Sequence, residues 1–343
     1  MIIKTRKRKK YGRKYHESSS YLTKININIL SKVSFISVLL FILFKAFNNE
    51  NIECKIFEEL DKVKPFIQPF TLDNIKEDFE YLVNKYKYLI KRENNIKDDC
   101  PIWMMWYQGI RQAPPLVLAC IQSVIKNREK HPVIIISKYN IEKYIKLPSY
   151  IIEKFHNKTF SITHFSDIVR LALLFKYGGY WIDSTYFINT PLTKVKTSFH
   201  TLQLKECFTN KHPFVKCIWG VNFMAVTKNS FIATYSYHAI LFYWKKYNSL
   251  INYFLIDYII HIAYYNVPEF KKIFEIIPIV NCNTFILFKN LNSKYNPSDI
   301  CLYNKLSKNG QKKYKGNEIT NYDYIIENNK FDFNNTNNYI LNI

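Results

Sequence analysis

The sequence predicts an α/β fold, a Rossmann-like mixed sheet flanked by helices, and three observations carry that prediction. Ile102–Tyr107 and Val133–Ser137 are short apolar runs of the kind that fill strands buried on both faces. A helical stretch opening at Pro114-Pro115 lies between them, giving strand, helix, strand in that order. Within Ser161–Thr190 an amphipathic helix stops at Gly178-Gly179 and gives way to Tyr180-Trp181-Ile182, an aromatic and β-branched run ending in Asp183. An acid at the end of a buried strand stands where open α/β sheets hold their ligands.

The chain opens on a basic head. Eight of the 49 Lys and Arg residues fall between Lys4 and Lys14 with no acid among them, and Val33–Phe47, VSFISVLLFILFKAF, follows. A spanning helix needs about 20 apolar residues. Residues 1–47 are therefore expected to engage an anionic membrane surface, either lying in the interface or crossing as a single pass through 33–47. The expected location is the cytoplasmic face of the membrane; a full pass would instead carry the body across it. Residues 48–99 read as a helical linker, amphipathic in Ile75–Ile90, and 100–290 as the α/β domain.

Inside that domain Gln108-Gly109 forms a turn after the first strand, the Pro114-Pro115 helix runs to about Asn127, and Lys138–Lys146 and Ser149–His156 are short helical candidates. Trp103 and Trp106 read as core and rim packing. In His164–Tyr177 the spacing of Ile168, Leu171 and Leu174 predicts a helix, and Asp167 and Arg170, three apart, share one of its faces. As a lone exposed salt bridge that pair is worth under about 1 kcal/mol. Gly178-Gly179 supplies the residue type that takes positive φ beyond a last turn. Cys217–Thr227 has strand character interrupted by Gly220 and Asn222, the latter a bulge or turn residue on this ground alone. Ala239–Tyr265 reads as one long helix. Asp257 lies in its apolar run, so it must be paired, capping or functional, and His261 stands one turn on. Residues 291–343, rich in Asn, Lys and Tyr, carry no motif and read as a variable extension.

Composition bounds the rest. A chain of 343 residues with 48% hydrophobic and 17% aromatic content builds a sizeable core, which excludes a disordered protein. The net charge of +22 fits a phosphorylated ligand, an anionic bilayer or nucleic acid equally, and the abundance of Lys, Asn, Ile and Tyr also fits an AT-rich genome. The seven cysteines are widely scattered without C-x-x-C spacing and read as reduced thiols.

Phe165–Thr185, FSDIVRLALLFKYGGYWIDST, resembles the core of the capsular polysaccharide synthesis protein family, a group related to the family-32 glycosyltransferases that carry a DXD motif. Pro101–Gly109, PIWMMWYQG, resembles its opening strand and loop, and Tyr243–Tyr258, YWKKYNSLINYFLIDY, its late helix. The likeness covers about Pro101 to Pro278. It implies a GT-A-like nucleotide-sugar-binding fold and transfer of a sugar, with retention, from a nucleotide diphosphate sugar to a hydroxyl of a surface glycan or lipid-linked glycan. The resemblance implies Asp183 and Asp257 as catalytic residues, and Gln108, Gly109, Asp167, Arg170, Gly178, Gly179 and Asn222 around the donor. It also implies a divalent cation, manganese or magnesium, at Asp183. Here the motif departs: Asp183-Ser184-Thr185 has Thr185 where the broader group has a second acid, and a hard cation wants carboxylate oxygens. Two other readings stand beside this one. One is a non-catalytic basic protein of membrane surfaces or nucleic acid, against which the dispersed basic residues and the lack of a nucleic-acid motif count. The other is a degenerate transferase serving as a scaffold.

Overall fold

The strands β1 (Ile102–Met105) and β2 (Val133–Ile136) pair in parallel, Ile102 beside Val133 and Met105 beside Ile136. The computed structural model in which they lie describes residues 72–205, 214–215, 217–308 and 318–333. The basic head, the apolar stretch 33–47 and the first part of the expected linker lie outside the described residues. Among the described residues no helix is long and apolar enough to cross a membrane.

The central sheet adds β3 (Gly179–Ile182), β7 (Phe223–Val226) and β5 (Phe199–Thr201) in the order β2-β1-β3-β7-β5. β3 runs parallel to β1, whereas β7 is antiparallel to both β3 and β5, so the sheet is mixed as the sequence suggests. Every residue of β1, β2, β3 and β7 is buried, because both faces are covered. Alternation divides them: Trp103, Met105, Trp181 and Met224 face one core, and Ile102, Met104, Tyr180, Ile182 and Phe223 face the other.

The helices arrange themselves on those faces. In chain order they are α1 (Leu72–Tyr86), α2 (Pro115–Lys126), α3 (Ile141–Tyr144), α4 (Ser149–His156), α5 (Ile162–Tyr177), α6 (Phe231–Lys246), α7 (Leu255–Asn266), α8 (Pro268–Ile276), α9 (Ile286–Lys289) and α10 (Asn321–Asn328). α2 joins β1 to β2 and packs Val117, Ile121 and Val124 on the second face; α5 precedes β3 and packs Ile168, Leu171 and Leu174 on the first. The chain leaves β1 toward β2 and returns to β1's other side at β3. The carboxyl ends of β1 and β3 therefore flank the topological switch point, where an open α/β sheet forms its ligand crevice.

Two expectations need correction. The Ala239–Tyr265 region is two helices, α6 and α7. Between them the Tyr243 hydroxyl donates to the Ser249 carbonyl at 2.6 Å and accepts from the Ile251 N–H at 2.8 Å, satisfying backbone groups that a continuous helix would have used. After residue 290, β9 (Tyr303–Lys305) pairs antiparallel with β4 (Tyr186–Ile188), and α10 packs on α2. A further short pair joins β6 (Gln203–Leu204) to β8 (Ile279–Val280). The cysteines are not all reduced. Cys282 and Cys301 form a disulfide with Cα atoms 5.8 Å apart, and Cys217 is disulfide-bonded too, while Cys100 and Cys120 are free.

Candidate functional site

Asp183 follows β3 directly and is in phase with Trp181, so its carboxylate lies on the α5 side of the sheet. Its backbone is fixed on both sides: the Asp183 N–H donates to the Asn222 carbonyl and its own carbonyl accepts from the Tyr186 N–H, both at 2.9 Å. The next residue, Ser184, donates its hydroxyl to the Met105 carbonyl at 2.7 Å, which ties the end of β3 to the end of β1 across the switch point.

The helix that carries Asp167 and Arg170 is fixed at each end. Ser161 caps its amino end, with the Ser161 hydroxyl accepting from the His164 N–H, and Gly178 ends it with φ +70°. Arg170 Nη2 stands 3.3 Å from Asp167 Oδ1 and 3.1 Å from Asp183 Oδ1. Its guanidinium lies over the Trp181 ring at 5.0 Å, and the Trp181 indole N–H donates to Asp183 Oδ1 at 2.8 Å. Arg170 is buried, and among the described residues its Nε and Nη1 groups have no hydrogen-bond partner. This pair is no surface salt bridge. Asp257, on α7, is buried beside it and accepts from the Trp219 indole N–H at 3.2 Å.

Lys305 completes the cluster. Strand pairing sets β9 so that Lys305 is opposite Tyr186, and the Leu306 N–H donates to the Thr185 carbonyl at 2.9 Å. The ammonium then reaches Asp183 Oδ2 at 2.8 Å and the Thr185 hydroxyl at 2.6 Å. Among the described residues, Asp167, Asp183 and Asp257 thus gather around Arg170 and Lys305. Burial pulls the Asp183 carboxyl upward, but Lys305 and Arg170 outweigh it and hold the group below the ordinary carboxylate range. Burial pushes Asp167 up to about 7, with Arg170 opposing and Asp183 reinforcing. Asp257 also rises to about 7, through burial first and then the charge of Asp167.

The remaining sequence candidates divide. Asn222 joins the site: besides its carbonyl contact with Asp183, its side-chain oxygen accepts from the Tyr186 hydroxyl at 3.1 Å. Gln108 is exposed and Gly109 has φ +100°, both in the loop that leaves β1 at the switch point. Gly178 and Gly179 do not reach the cluster. They stand at the opposite end of β3, about 13 Å of strand from Asp183. A Cβ at Gly179 would lie 2.2 Å from the Pro101 carbonyl oxygen, and one at Gly178 would lie 2.6 Å from the Lys228 nitrogen. Their role is close packing of backbone. His261, expected to pair with Asp257, has its ring Nδ1 3.2 Å from the Phe214 carbonyl. Sequence reasoning missed Lys305 and Trp219. Trp219 carries no local signal, and Lys305 sits in a lysine-rich segment where one more lysine is background.

The donor set does not fit a divalent cation. Both Asp183 oxygens are already held by cationic groups, Thr185 offers a hydroxyl that accepts from Lys305, and among the described residues no three His, Cys, Asp or Glu side chains group as metal ligands. A separate cavity of about 630 Å³, lined by Phe155, Phe160, Ser161, His164 and Leu250 among others, opens beside the amino end of α5, one turn before Asp167.

The sequence profile of a family described as capsular polysaccharide synthesis protein matches residues 53–327. Among solved structures, one titled PaToxG Glycosyltransferase is similar at 16% identity and a TM-score of 0.35, over 60% of this chain and 80% of that one. Comparison with curated proteins gives no match.

Proposed function

The chain belongs to the capsular polysaccharide synthesis protein family, and from that premise we propose that it is a glycosyltransferase moving a sugar from a nucleotide diphosphate sugar to a hydroxyl of a surface or lipid-linked glycan. The observation that carries this reading is Asp183 at the switch point of a mixed sheet, braced by Arg170 and Lys305. In such a transfer the bond between the anomeric carbon and a diphosphate oxygen breaks, and its electron pair leaves on that oxygen. A new bond forms from the anomeric carbon to the acceptor oxygen, and the acceptor's hydroxyl proton passes to the departing diphosphate. The demanding event is the build-up of negative charge on the leaving group, and fixed cations in a partly buried site meet it at little cost in reorganisation.

In this reading the GT-A-like sheet receives the nucleotide at the carboxyl ends of β1 and β3, where the Gln108-Gly109 loop begins. Asp183 orients the donor ribose and the two cations. The unpartnered Nε and Nη1 groups of Arg170 gain acceptors when a diphosphate enters. Asp167 holds Arg170 in place. Asp257, with a carboxyl that changes charge near neutrality, addresses a hydroxyl of the sugar or acceptor. Retention of anomeric configuration accompanies this reading through the family resemblance.

The test is release of free sugar from a panel of nucleotide diphosphate sugars by the full-length chain, followed chromatographically beside Asp183→Asn. We expect slow hydrolysis of one donor by the wild type, reduced about 100- to 1000-fold in the variant. A folded wild type that hydrolyses and binds none of the donors removes the proposal.

A further inference from the structure

We infer that the Lys305 ammonium replaces the divalent cation at the diphosphate site, so that donor binding is independent of metal. This rests on the transferase reading above. The positions that a DXD motif offers to a metal are the side chains at 183 and 185, and in this chain one ammonium bridges both, 2.8 Å from Asp183 Oδ2 and 2.6 Å from Thr185 Oγ1. The charges agree with that geometry. Two acids at these positions offer a divalent ion two negative charges, whereas Asp183 with neutral Thr185 offers one.

The position of Lys305 is built rather than incidental. Its backbone N–H donates to the Thr284 carbonyl at 2.8 Å, and the following N–H donates to Thr185. The preceding residue, Asn304, is fully buried and bonds the Phe187 and Cys301 carbonyls. Cys301 is covalently tied to Cys282. The ammonium passes over the Tyr186 ring at 5.5 Å, and the Lys305 side chain remains 20% exposed. Two of its three N–H donors serve Asp183 and Thr185. Among the described residues the third meets no partner and is left for an incoming anion, and a diphosphate oxygen is the partner that a transferase brings to this place. Arg170, on the other Asp183 oxygen, gives a second cation at the same carboxylate.

The experiment is calorimetric titration of the full-length chain with uridine, guanosine, cytidine and adenosine diphosphates, in excess EDTA and then in manganese. It uses wild type, Lys305→Arg, Lys305→Met and the double variant Lys305→Met with Thr185→Asp. Wild type is expected to bind one diphosphate in EDTA with a Kd that manganese leaves unchanged. Lys305→Met weakens that binding about 10- to 100-fold, and Lys305→Arg retains most of it. In the double variant, manganese restores what EDTA removes, because two acids then await a divalent ion. Wild-type binding that needs manganese, or Lys305→Met binding as tightly as wild type, overturns the inference and leaves the transferase reading intact. No wild-type binding in either buffer overturns both. If Lys305→Met does not fold, the wild type in EDTA and in manganese still decides.

Discussion

At the scale of single residues, burial and two neighbouring cations divide the titration of the three acids. Asp167, Asp183 and Asp257 face Arg170 and Lys305, and the two acids farthest from Lys305's ammonium are the ones whose carboxyls rise to about 7. An unfolded aspartate titrates near 3.9, so the native state holds more protons than the unfolded chain between about pH 4 and pH 7. Stability from this source is full below that window and lost as pH rises through it. Asp183, held below the ordinary range, acts the other way: its contribution is lost only as pH falls below about 4. The melting temperature is therefore expected to fall between pH 5 and pH 8, by about 2–4 °C for each kcal/mol lost. Asp257→Asn, which imitates the protonated acid, should flatten that fall. An equal slope in wild type and variant, measured by scanning calorimetry, would show that Asp257 holds no proton. These acids were legible in the sequence for different reasons. Helical spacing put Asp167 beside Arg170, a strand end exposed Asp183, and Asp257 was an acid in an apolar run. Lys305 was not legible, because only a strand pairing across 120 residues brings it to Thr185.

At the scale of elements, the double glycine proves to be what sets β3, and through β3 the position of Asp183. Gly179 has φ +95° and passes so close to Pro101 that an added Cβ would meet its carbonyl oxygen, whereas Gly220 meets only the movable Asn222 side chain at 3.0 Å. Gly179→Ala is expected to cost roughly 2–4 kcal/mol through strain and overpacking, while Gly220→Ala costs less. Thermal melts of the two variants check this, and equal losses would refute the role given to the close approach. The elements that strand and helix periodicity could reveal were those with buried faces: β1, β2, β3, α2 and α5. The break between α6 and α7 was hidden, because Ile251, Phe254 and Leu255 continue the apolar spacing. The turn there depends on tyrosine hydroxyl bonds that a periodicity does not record. The pairs β4–β9 and β6–β8 are two or three residues long, and their partners lie far apart in the chain.

At the scale of the whole molecule, the Cys282–Cys301 bond joins stability, site and surroundings. It closes a loop of 19 residues immediately before β9, the strand that delivers Lys305. Closing a loop of that size contributes about 3 kcal/mol by restricting the unfolded chain. Cys301→Ser is expected to lower the melting temperature, and dithiothreitol should lower that of wild type by more than that of Cys282→Ser with Cys301→Ser, in which the Cys217 disulfide alone of these two bonds remains to be reduced. Because β9 is also held by β4 and Thr284, the loss falls on stability before it falls on the Lys305 contacts. The bond also bears on where the body resides. Cytosolic thiols are kept reduced, and disulfides persist on the oxidising side of a membrane. A basic head retained in the cytoplasm, with residues 33–47 crossing, would set the body on that side. Trapping thiols with a maleimide at lysis and then mapping the labelled peptides separates the two arrangements. We expect Cys282 and Cys301 to be labelled only after reduction. Labelling of both without reduction would keep the body in the cytoplasm, in line with an interfacial anchor.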